Sequence, residues 1–169
     1  MKKIIIIGSP GAGKSTFARK LRDKTGLPLY YLDMLWHLPD RTTVTREEFD
    51  AKLAAIMAAD EWILDGNFGR TMETRMQHCD TIFLLDYPME VCLAGIKARV
   101  GTVREEMPWV EEELNKDFAQ WVTEFPKVRL PEIYSLLEKY QEGREVHILR
   151  SREETDAYLQ SLETAGGTQ

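Results

Sequence analysis

The chain has 169 residues, of which 43% are hydrophobic and 30% charged, and its formal net charge is -6. This length suffices for one domain whose core needs neither a disulfide nor a structural metal. The acidic balance argues against a protein that coats nucleic acid or binds an anionic membrane through a basic face, so direct DNA binding is not expected.

The first half of the chain alternates predicted strands with predicted helices. In chain order these are a strand at 4–7, a helix at 14–23, a strand at 29–32, a helix opened by a capping box at 45–48, a strand at 62–64 and a short helix over 72–79. The first strand, Ile4–Ile7, is a continuous β-branched run, which is typical of a strand buried on both faces of a parallel sheet.

The second half continues the alternation. Its predicted elements are a strand at 81–85, a helix opened by Pro88, a polar segment at 100–107, a helix from Pro108 to Phe125, an apolar helical stripe at 133–140, a strand at 146–149, a helix from 151 to about 162 and a flexible tail at 164–169. Strands that alternate with helices predict one α/β domain over residues 1–163, built on a parallel sheet, with no second domain.

The segment Gly8–Ser15 matches the phosphate-binding pattern G-x-x-x-x-G-K-[ST], the Walker A motif, between a predicted strand and a predicted helix. Its glycines let backbone N–H groups surround phosphate oxygens, and the following helix directs its positive dipole end at the same phosphates. Lys14 would reach the β- and γ-phosphates, and the Ser15 hydroxyl would ligate Mg²⁺. The predicted nucleotide-binding residues are Gly8, Ser9, Pro10, Gly11, Ala12, Gly13, Lys14, Ser15 and Thr16.

Three predicted strands are followed directly by aspartates, Asp33, Asp65 and Asp86. The carboxyl ends of parallel strands form the ligand crevice of an open α/β sheet. Asp65 is interpreted as a carboxylate on the Mg²⁺ water shell. Asp33 is interpreted as a proton acceptor for an acceptor hydroxyl or as a second Mg²⁺ partner. Asp86, just before Pro88, is interpreted as a turn or capping carboxylate.

The motifs disfavour two other classes of P-loop protein. A GTPase needs an N-K-x-D segment to read its base, but the nearest stretch, Asn115–Phe118, ends in phenylalanine and lies in a predicted helix. A motor ATPase usually has a glutamate after its strand-end aspartate, whereas Asp65 is followed by Gly66. A small-molecule kinase therefore remains the favoured class, with a plain ATPase as an alternative.

The whole chain except its tail resembles the nucleoside-monophosphate-kinase-like group of P-loop kinases, including adenylate kinases. Within that group it is most similar to the bacterial family called DNA topology modulation proteins. The segments that carry the likeness are Gly8–Ser15, Tyr31–Asp33 with Trp36, Glu61–Gly69, Leu85–Pro88, Trp121 with Phe125–Pro126, and Ile148–Ser151. Asp65-Gly66-Asn67-Phe68 is the more family-specific of these.

The resemblance implies a three-layer P-loop fold with five parallel strands in the order 2-3-1-4-5 and helices on both faces. It also implies a lid at about residues 100–107 and an acceptor-binding helical segment at about 34–60. Arg99 and Arg104 would be the lid arginines that clamp the transferring phosphoryl group, with a solvated charged loop as the alternative. The adenine would lie between the lid side and Leu149–Arg152.

The acceptor site is the least defined part of this prediction. The acceptor is expected near the residues Asp33, Trp36, Asp65, Gly66, Asn67 and Arg70. Adenylate kinases carry D-G-F-P-R, whereas here Arg70 lies one position later and Arg75 a helical turn further. The sequence therefore places no arginine securely against an acceptor phosphate, and Asp33 suits a hydroxyl acceptor better, so nucleosides, nucleotides and other hydroxyl compounds all stay open as acceptors. Trp36 would stack on the acceptor or belong to the core.

The sequence thus predicts an ATP- and Mg²⁺-dependent kinase of an unidentified small acceptor. The alternative implied by the resemblance is a regulatory nucleotide-binding ATPase associated with DNA topology. Cys79 and Cys92 form no CxxC pair, so reduced thiols and a cytoplasmic location are expected. The apolar run after Met1 ends at Gly8, which is too short for a signal peptide, and no stretch approaches the about 20 apolar residues of a membrane span.

Overall fold

The computed structural model describes the backbone of residues 1–165 and the side chains of residues 1–162. Over this part the elements are β1 Lys3–Gly8, α1 Lys14–Thr25, β2 Leu29–Tyr31, α2 Leu32–Trp36, α3 Arg46–Met57, β3 Trp62–Asp65, α4 Gly69–His78, β4 Thr81–Leu85, α5 Met89–Arg99, α6 Lys116–Val128, α7 Leu130–Tyr140, β5 Glu145–Leu149 and α8 Arg152–Ala165.

The five strands form one parallel sheet in the order β2-β3-β1-β4-β5, as predicted. The central strand β1 is buried on both faces because its alternating isoleucines point to opposite sides. Ile5 and Ile7 pack with residues of α3, α4 and α7, whereas Ile4 and Ile6 pack with residues of α1, α5 and α8. The molecule is therefore a three-layer α/β P-loop fold.

Hydrogen bonds at the starts of two helices confirm the helix starts predicted at Thr45 and Ser151. The Thr45 hydroxyl accepts a hydrogen bond from the Glu48 amide at 3.1 Å, and the Ser151 hydroxyl accepts one from the Glu154 amide at 3.1 Å. These bonds satisfy amides that have no partner within the first turn of a helix. Asn115 also caps a helix, because its carbonyl accepts from two backbone amides at the start of α6.

Two predicted boundaries are wrong in ways that matter for the site. No helix starts at Pro108: residues 100–115 lack regular structure, and α6 begins at Lys116. This irregular segment, which we call the lid segment, is held by tertiary contacts, including a bond from the Gly101 amide to the Glu111 carbonyl at 2.7 Å. Leu32 starts α2 and does not end β2, so Asp33 lies in the first turn of a helix.

The C-terminal helix α8 also extends further than predicted, to Ala165. Residues 164 and 165 of the predicted tail at 164–169 belong to this helix, and residues 166–169 lie outside the described part. None of the helices within the described residues is both long and apolar enough to cross a membrane.

Candidate active site

The segment Gly8–Ser15, which we call the phosphate loop, connects the end of β1 to the start of α1 at the carboxyl edge of the sheet. Gly13 is the N-cap of α1 and has a left-handed φ of 86°, which glycine adopts without a steric penalty. Gly11 lies so close to α5 that a Cβ atom there would meet the Cys92 carbonyl oxygen at 2.2 Å. The loop backbone is therefore packed directly on the backbone of α5.

Lys14 is folded onto the carbonyl groups of the loop. Its Nζ donates to the carbonyl oxygens of Gly8 and Ser9, both at 3.1 Å. Burial lowers the pKa of Lys14, and the nearby carboxylate of Asp65 partly offsets this shift. The ammonium group thus lies in the concave side of the loop, where an anionic ligand would find an incompletely solvated positive charge.

Ser15 and Asp65 meet across the crevice between α1 and β3. The Ser15 hydroxyl donates to Oδ2 of Asp65 at 2.6 Å. The other carboxylate oxygen, Oδ1, is buried and has no hydrogen-bond partner within the described residues. Burial raises the pKa of Asp65 to about 6, although the bond from Ser15 acts in the opposite direction. A hydroxyl and an unsatisfied carboxylate oxygen side by side fit the oxygen ligands of Mg²⁺.

Asn67, a predicted substrate-binding residue, bonds to the phosphate loop. Its carbonyl accepts from the Gly8 amide at 3.0 Å, and its NH₂ group donates to the Gly8 carbonyl at 2.8 Å. These two bonds join the loop after β3 to the end of β1. The neighbouring Gly66 has a φ of 138° and packs against Leu32 of α2. Asn67 and Gly66 therefore help to hold the carboxyl ends of the strands together.

Asp33 lies at the same edge as Lys14 and the lid arginines. Its side chain is 44% exposed, and Oδ1 is 3.8 Å from Nε2 of His37. Loss of surrounding water raises the pKa of Asp33, and electrostatic interactions with His37, Lys14, Arg104 and Arg99 lower it. The carboxylate thus faces a cluster of cations and stays accessible to a ligand.

The lid segment brings Arg104 next to Arg99, which ends α5. The guanidinium of Arg104 lies 3.5 Å from Glu106 and 3.4 Å from Glu111, with its side chain only 10% exposed. The Nε atoms of both arginines are buried and have no partner in the part of the chain that the structure describes. Burial lowers the pKa of Arg99, and the neighbouring charge of Arg104 lowers it further.

Acidic residues of the lid segment form ion pairs with helix α1. The buried Glu106 accepts from Arg19 of α1 at 2.8 Å, and Glu105 is 3.3 Å from Arg22. The hydroxyl of Tyr31 at the end of β2 also donates to Glu105. Glu106 is therefore buried against α1, whereas Glu105 makes its contacts at the exposed surface.

Trp109 connects the lid segment to the acceptor side. Its ring contacts His37 in an edge-on arrangement at 5.1 Å, and the guanidinium of Arg41 lies 5.7 Å from the ring centre. The lid segment consequently spans the crevice, with ion pairs to α1 at one end and an aromatic contact near Asp33 at the other.

The other two predicted acceptor residues have partners within the fold. Trp36 packs edge-on against Phe49 of α3 at 5.7 Å, so its ring borders the core. Arg70 makes two bonds to the Asp50 carboxylate, at 3.1 and 2.7 Å, on the exposed faces of α3 and α4. Neither side chain is brought against Lys14.

Sequence reasoning missed several residues that shape this site. Glu106 lies in the polar segment 100–107 and Trp109 in the helix predicted from Pro108, and neither pattern indicates the contacts of these residues across the chain. Arg75 was noted only as a second arginine after Asp65, but it is completely buried beneath the loop of residues 66–68. A lone arginine among the apolar positions of a predicted helix was the available signal.

Comparisons with known proteins agree with the fold. Over 97 residues the chain is 30% identical to adenylate kinases of Thermotoga neapolitana and Thermotoga maritima, which is 56% of this chain and 43% of each relative. The chain thus spans less than half the length of these curated relatives. A shikimate kinase from Bacteroides thetaiotaomicron superposes with a TM-score of 0.56 at 17% identity, covering 98% of both chains.

No family model matches the chain. The resemblance to DNA topology modulation proteins therefore stays a prediction. The structural match shows that the chain has the fold found in that shikimate kinase, and the sequence match relates 97 of its residues to adenylate kinases.

Proposed function

We propose that this protein is an ATP- and Mg²⁺-dependent phosphotransferase that transfers the γ-phosphoryl group to a hydroxyl group of a small acceptor. The observation that carries the proposal is the convergence of Lys14, the Ser15–Asp65 pair and Asp33 with two arginines at one edge of the sheet. Similarity to adenylate kinases and the fold shared with a shikimate kinase support the same reaction class.

The triphosphate would lie on the loop of residues 8–16. On binding, Lys14 would exchange its bonds to the Gly8 and Ser9 carbonyls for phosphate oxygens, which are stronger acceptors because they are charged. Amides at the start of α1 would donate to the same phosphates. The adenine would lie between the lid side and Leu149–Arg152, as the resemblance implies.

Ser15 and Asp65 are the residues that would hold Mg²⁺, because their oxygens are adjacent and one of them is unsatisfied. Bound there, the cation would neutralise phosphate charge. The work of the protein's own side chains is to orient the nucleotide and to keep water out of the crevice. Arg99 and Arg104 would place positive charge where negative charge develops during transfer.

A hydroxyl acceptor is favoured over a phosphate monoester because both arginines after β3 are already engaged. Arg70 is bound through two hydrogen bonds to Asp50, and Arg75 is buried on backbone carbonyls. Asp33, in contrast, is accessible and close to the transfer site. Its carboxylate would accept the proton of the attacking hydroxyl, a role that its raised pKa supports.

A panel assay tests this proposal. ADP formation from ATP is measured with Mg²⁺ alone and with nucleosides, sugars, polyols, hydroxy acids and nucleoside monophosphates added one at a time. We expect one class of hydroxyl compound to accelerate ADP formation and monophosphates to have less effect. Fast hydrolysis that no compound changes would contradict the proposal and favour the regulatory ATPase. Preference for a monophosphate would contradict the assignment of Asp33.

A further inference from the structure

Arg75 is a buried charged side chain to which the proposed reaction assigns no role. It lies in the middle of α4 and is 0% exposed. No carboxylate hydrogen-bonds to it within residues 1–162. Burial lowers the pKa of Arg75 to about 9, so the guanidinium remains charged at neutral pH. A buried cation without a paired anion needs a structural or functional reason.

The guanidinium is surrounded by backbone carbonyls of one short loop. Nη1 donates to the Gly66 carbonyl at 3.0 Å, and Nη2 donates to the carbonyls of Asn67 and Phe68. Nε donates to the Thr71 hydroxyl at 3.2 Å, and that hydroxyl donates to the Phe68 carbonyl at 3.1 Å. The planar fork of arginine suits such a set, because its five N–H groups point in fixed directions.

The loop that Arg75 holds has an unusual backbone. Phe68 has a φ of 39°, in the left-handed region that residues with a Cβ rarely adopt. Its ring stacks on Phe49 at 5.3 Å, which fixes it from the other side. Three successive carbonyls that converge on one cation would repel each other without it. Arg75 therefore determines the conformation of residues 66–68.

This loop is continuous with two parts of the candidate active site. It begins directly after Asp65, the proposed Mg²⁺ ligand, and it carries Asn67, which makes two bonds to Gly8 at the start of the phosphate loop. A shift of the loop would move the carboxylate relative to Ser15 and release the tie to β1. Groups that orient metal ligands without contacting the metal themselves are typically important for metal affinity.

We propose that Arg75 is a positioning residue for Mg²⁺–nucleotide binding: through the carbonyls of Gly66, Asn67 and Phe68 it sets the Asp65 carboxylate and ties the loop to Gly8. This inference rests on the proposed function, since it takes Asp65 and Ser15 to hold the cation. Arg75 would not contact the substrate, but it would affect how strongly Mg²⁺ improves nucleotide binding.

Arg144, which lies beside the C-terminal end of α4 and far from the loop of residues 66–68, is a matched control. Arg144 also donates to backbone carbonyls, those of Cys79, Tyr140 and Gln77, at 3.1, 2.9 and 3.0 Å. It precedes β5, at the edge of the sheet where the strands begin. Substitution of Arg144 removes a similar set of bonds without touching the site.

The experiment measures ATP affinity by calorimetry with Mg²⁺ and with EDTA, for the wild type, Arg75→Met, Arg75→Lys and Arg144→Met. The ratio of the two affinities is the Mg²⁺ enhancement. We expect Arg75→Met to lower it roughly ten- to hundredfold, Arg75→Lys to recover part of the loss, and Arg144→Met to leave it unchanged. Amide exchange of residues 66–69 without nucleotide should be faster in Arg75→Met only.

An enhancement in Arg75→Met equal to that of the wild type would overturn the inference, as would an equal loss in Arg144→Met. If Arg75→Met does not fold, Thr71→Val replaces it, since it removes the acceptor of Nε, and the same but smaller loss is expected. The wild type failing to phosphorylate any acceptor would refute the proposed function alone, because the Mg²⁺ enhancement is still measured. A wild type with no enhancement would overturn both.

Discussion

Asp65, which we propose to hold Mg²⁺, is a residue whose burial disfavours folding at neutral pH. Its carboxylate is buried at the end of β3 with one oxygen unsatisfied within the described residues, and its pKa is raised to about 6. The folded state therefore binds this proton more tightly than the unfolded chain, where the pKa is near 3.8. Protonation of Asp65 therefore adds to the free energy of unfolding. This contribution is fully present below pH 4 and is lost as the pH rises through 6.

We therefore expect Asp65→Asn to increase the free energy of unfolding of the metal-free protein at pH 7.5, by on the order of 1–3 kcal/mol, while it lowers Mg²⁺-dependent nucleotide binding. The gain should shrink steadily between pH 6 and pH 4.5. Thermal unfolding followed by circular dichroism in EDTA, at several pH values, measures this difference.

Asp50 provides the control for this prediction. Its carboxylate is exposed, and the bond from Arg70 lowers its pKa, so Asp50→Asn should not stabilise the protein at pH 7.5. An Asp65→Asn protein that is no more stable than the wild type at pH 7.5, or whose gain does not depend on pH, would refute the account of Asp65.

The residues of the Gly8–Ser15 pattern were predictable from spacing alone, but the residues packed behind that loop were not. The order Gly8–Ser15 between a strand and a helix identifies Lys14 and Ser15, because each has a fixed place in such a loop. The bonds of Asn67 and Arg75 depend on the path of the backbone between β3 and α4. No sequence periodicity encodes that path, and Phe68 adopts a conformation that its residue type disfavours.

At the level of elements, the backbones of the phosphate loop and α5 lie in close contact. A Cβ atom on Gly95 would lie 2.1 Å from the carbonyl oxygen of Gly11. Backbone cannot yield to such a clash as the end of a side chain can. Helix α5 ends in Arg99, so the same contact also sets the distance between the loop and the lid arginines.

We expect Gly95→Ala to weaken ATP binding roughly tenfold or more, because α5 and the loop must separate. Gly69, at the start of α4, is the matched control: a Cβ there meets no atom within 4 Å. Gly69→Ala should bind ATP normally and be equally or slightly more stable, since alanine favours a helix. Calorimetric titration with ATP compares the two, and equal affinities would show that the contact is not required.

Elements with strong periodicity were predicted well, and those held by tertiary contacts were not. The apolar runs of β1, β3 and β4 are buried on both faces, so burial and sequence pattern agree. The lid segment was predicted to be helical from Pro108 onward, because proline fits the first turn of a helix. In the fold its acidic and basic residues form ion pairs across the chain, such as Glu106 with Arg19, which local composition does not reveal.

At the scale of the whole molecule, the net charge is negative, although cationic side chains lie at the candidate site. The chain carries -6 overall, yet Lys14, Arg99 and Arg104 are gathered at the carboxyl edge of the sheet. The acidic residues at helix starts, such as Glu47 and Glu48 on α3, lie at the exposed surface. This distribution suits one small anion accompanied by a divalent cation.

The sheet topology explains why residues far apart in sequence converge. Parallel strands end at one edge, so the phosphate loop after β1 and Asp65 at the end of β3 lie there together. This convergence was predictable once strands were identified. The partners of Arg70, Arg75 and Trp36 were not, because each depends on how a helix rotates against its neighbours.

The fate of the γ-phosphoryl group is the most direct test of the central claim. ATP labelled at the γ-phosphate is incubated with the protein, Mg²⁺ and the hydroxyl compound that most accelerates ADP formation, and the label is followed into organic phosphate or inorganic phosphate. Lys14→Ala is compared with Lys20→Ala, an exposed lysine of the same helix that lies 3.9 Å from Asp156. We predict that the wild type and Lys20→Ala place the label on the acceptor, and that Lys14→Ala does so roughly a hundredfold more slowly. Label found only in inorganic phosphate, or a Lys14→Ala protein as fast as the wild type, would contradict the account.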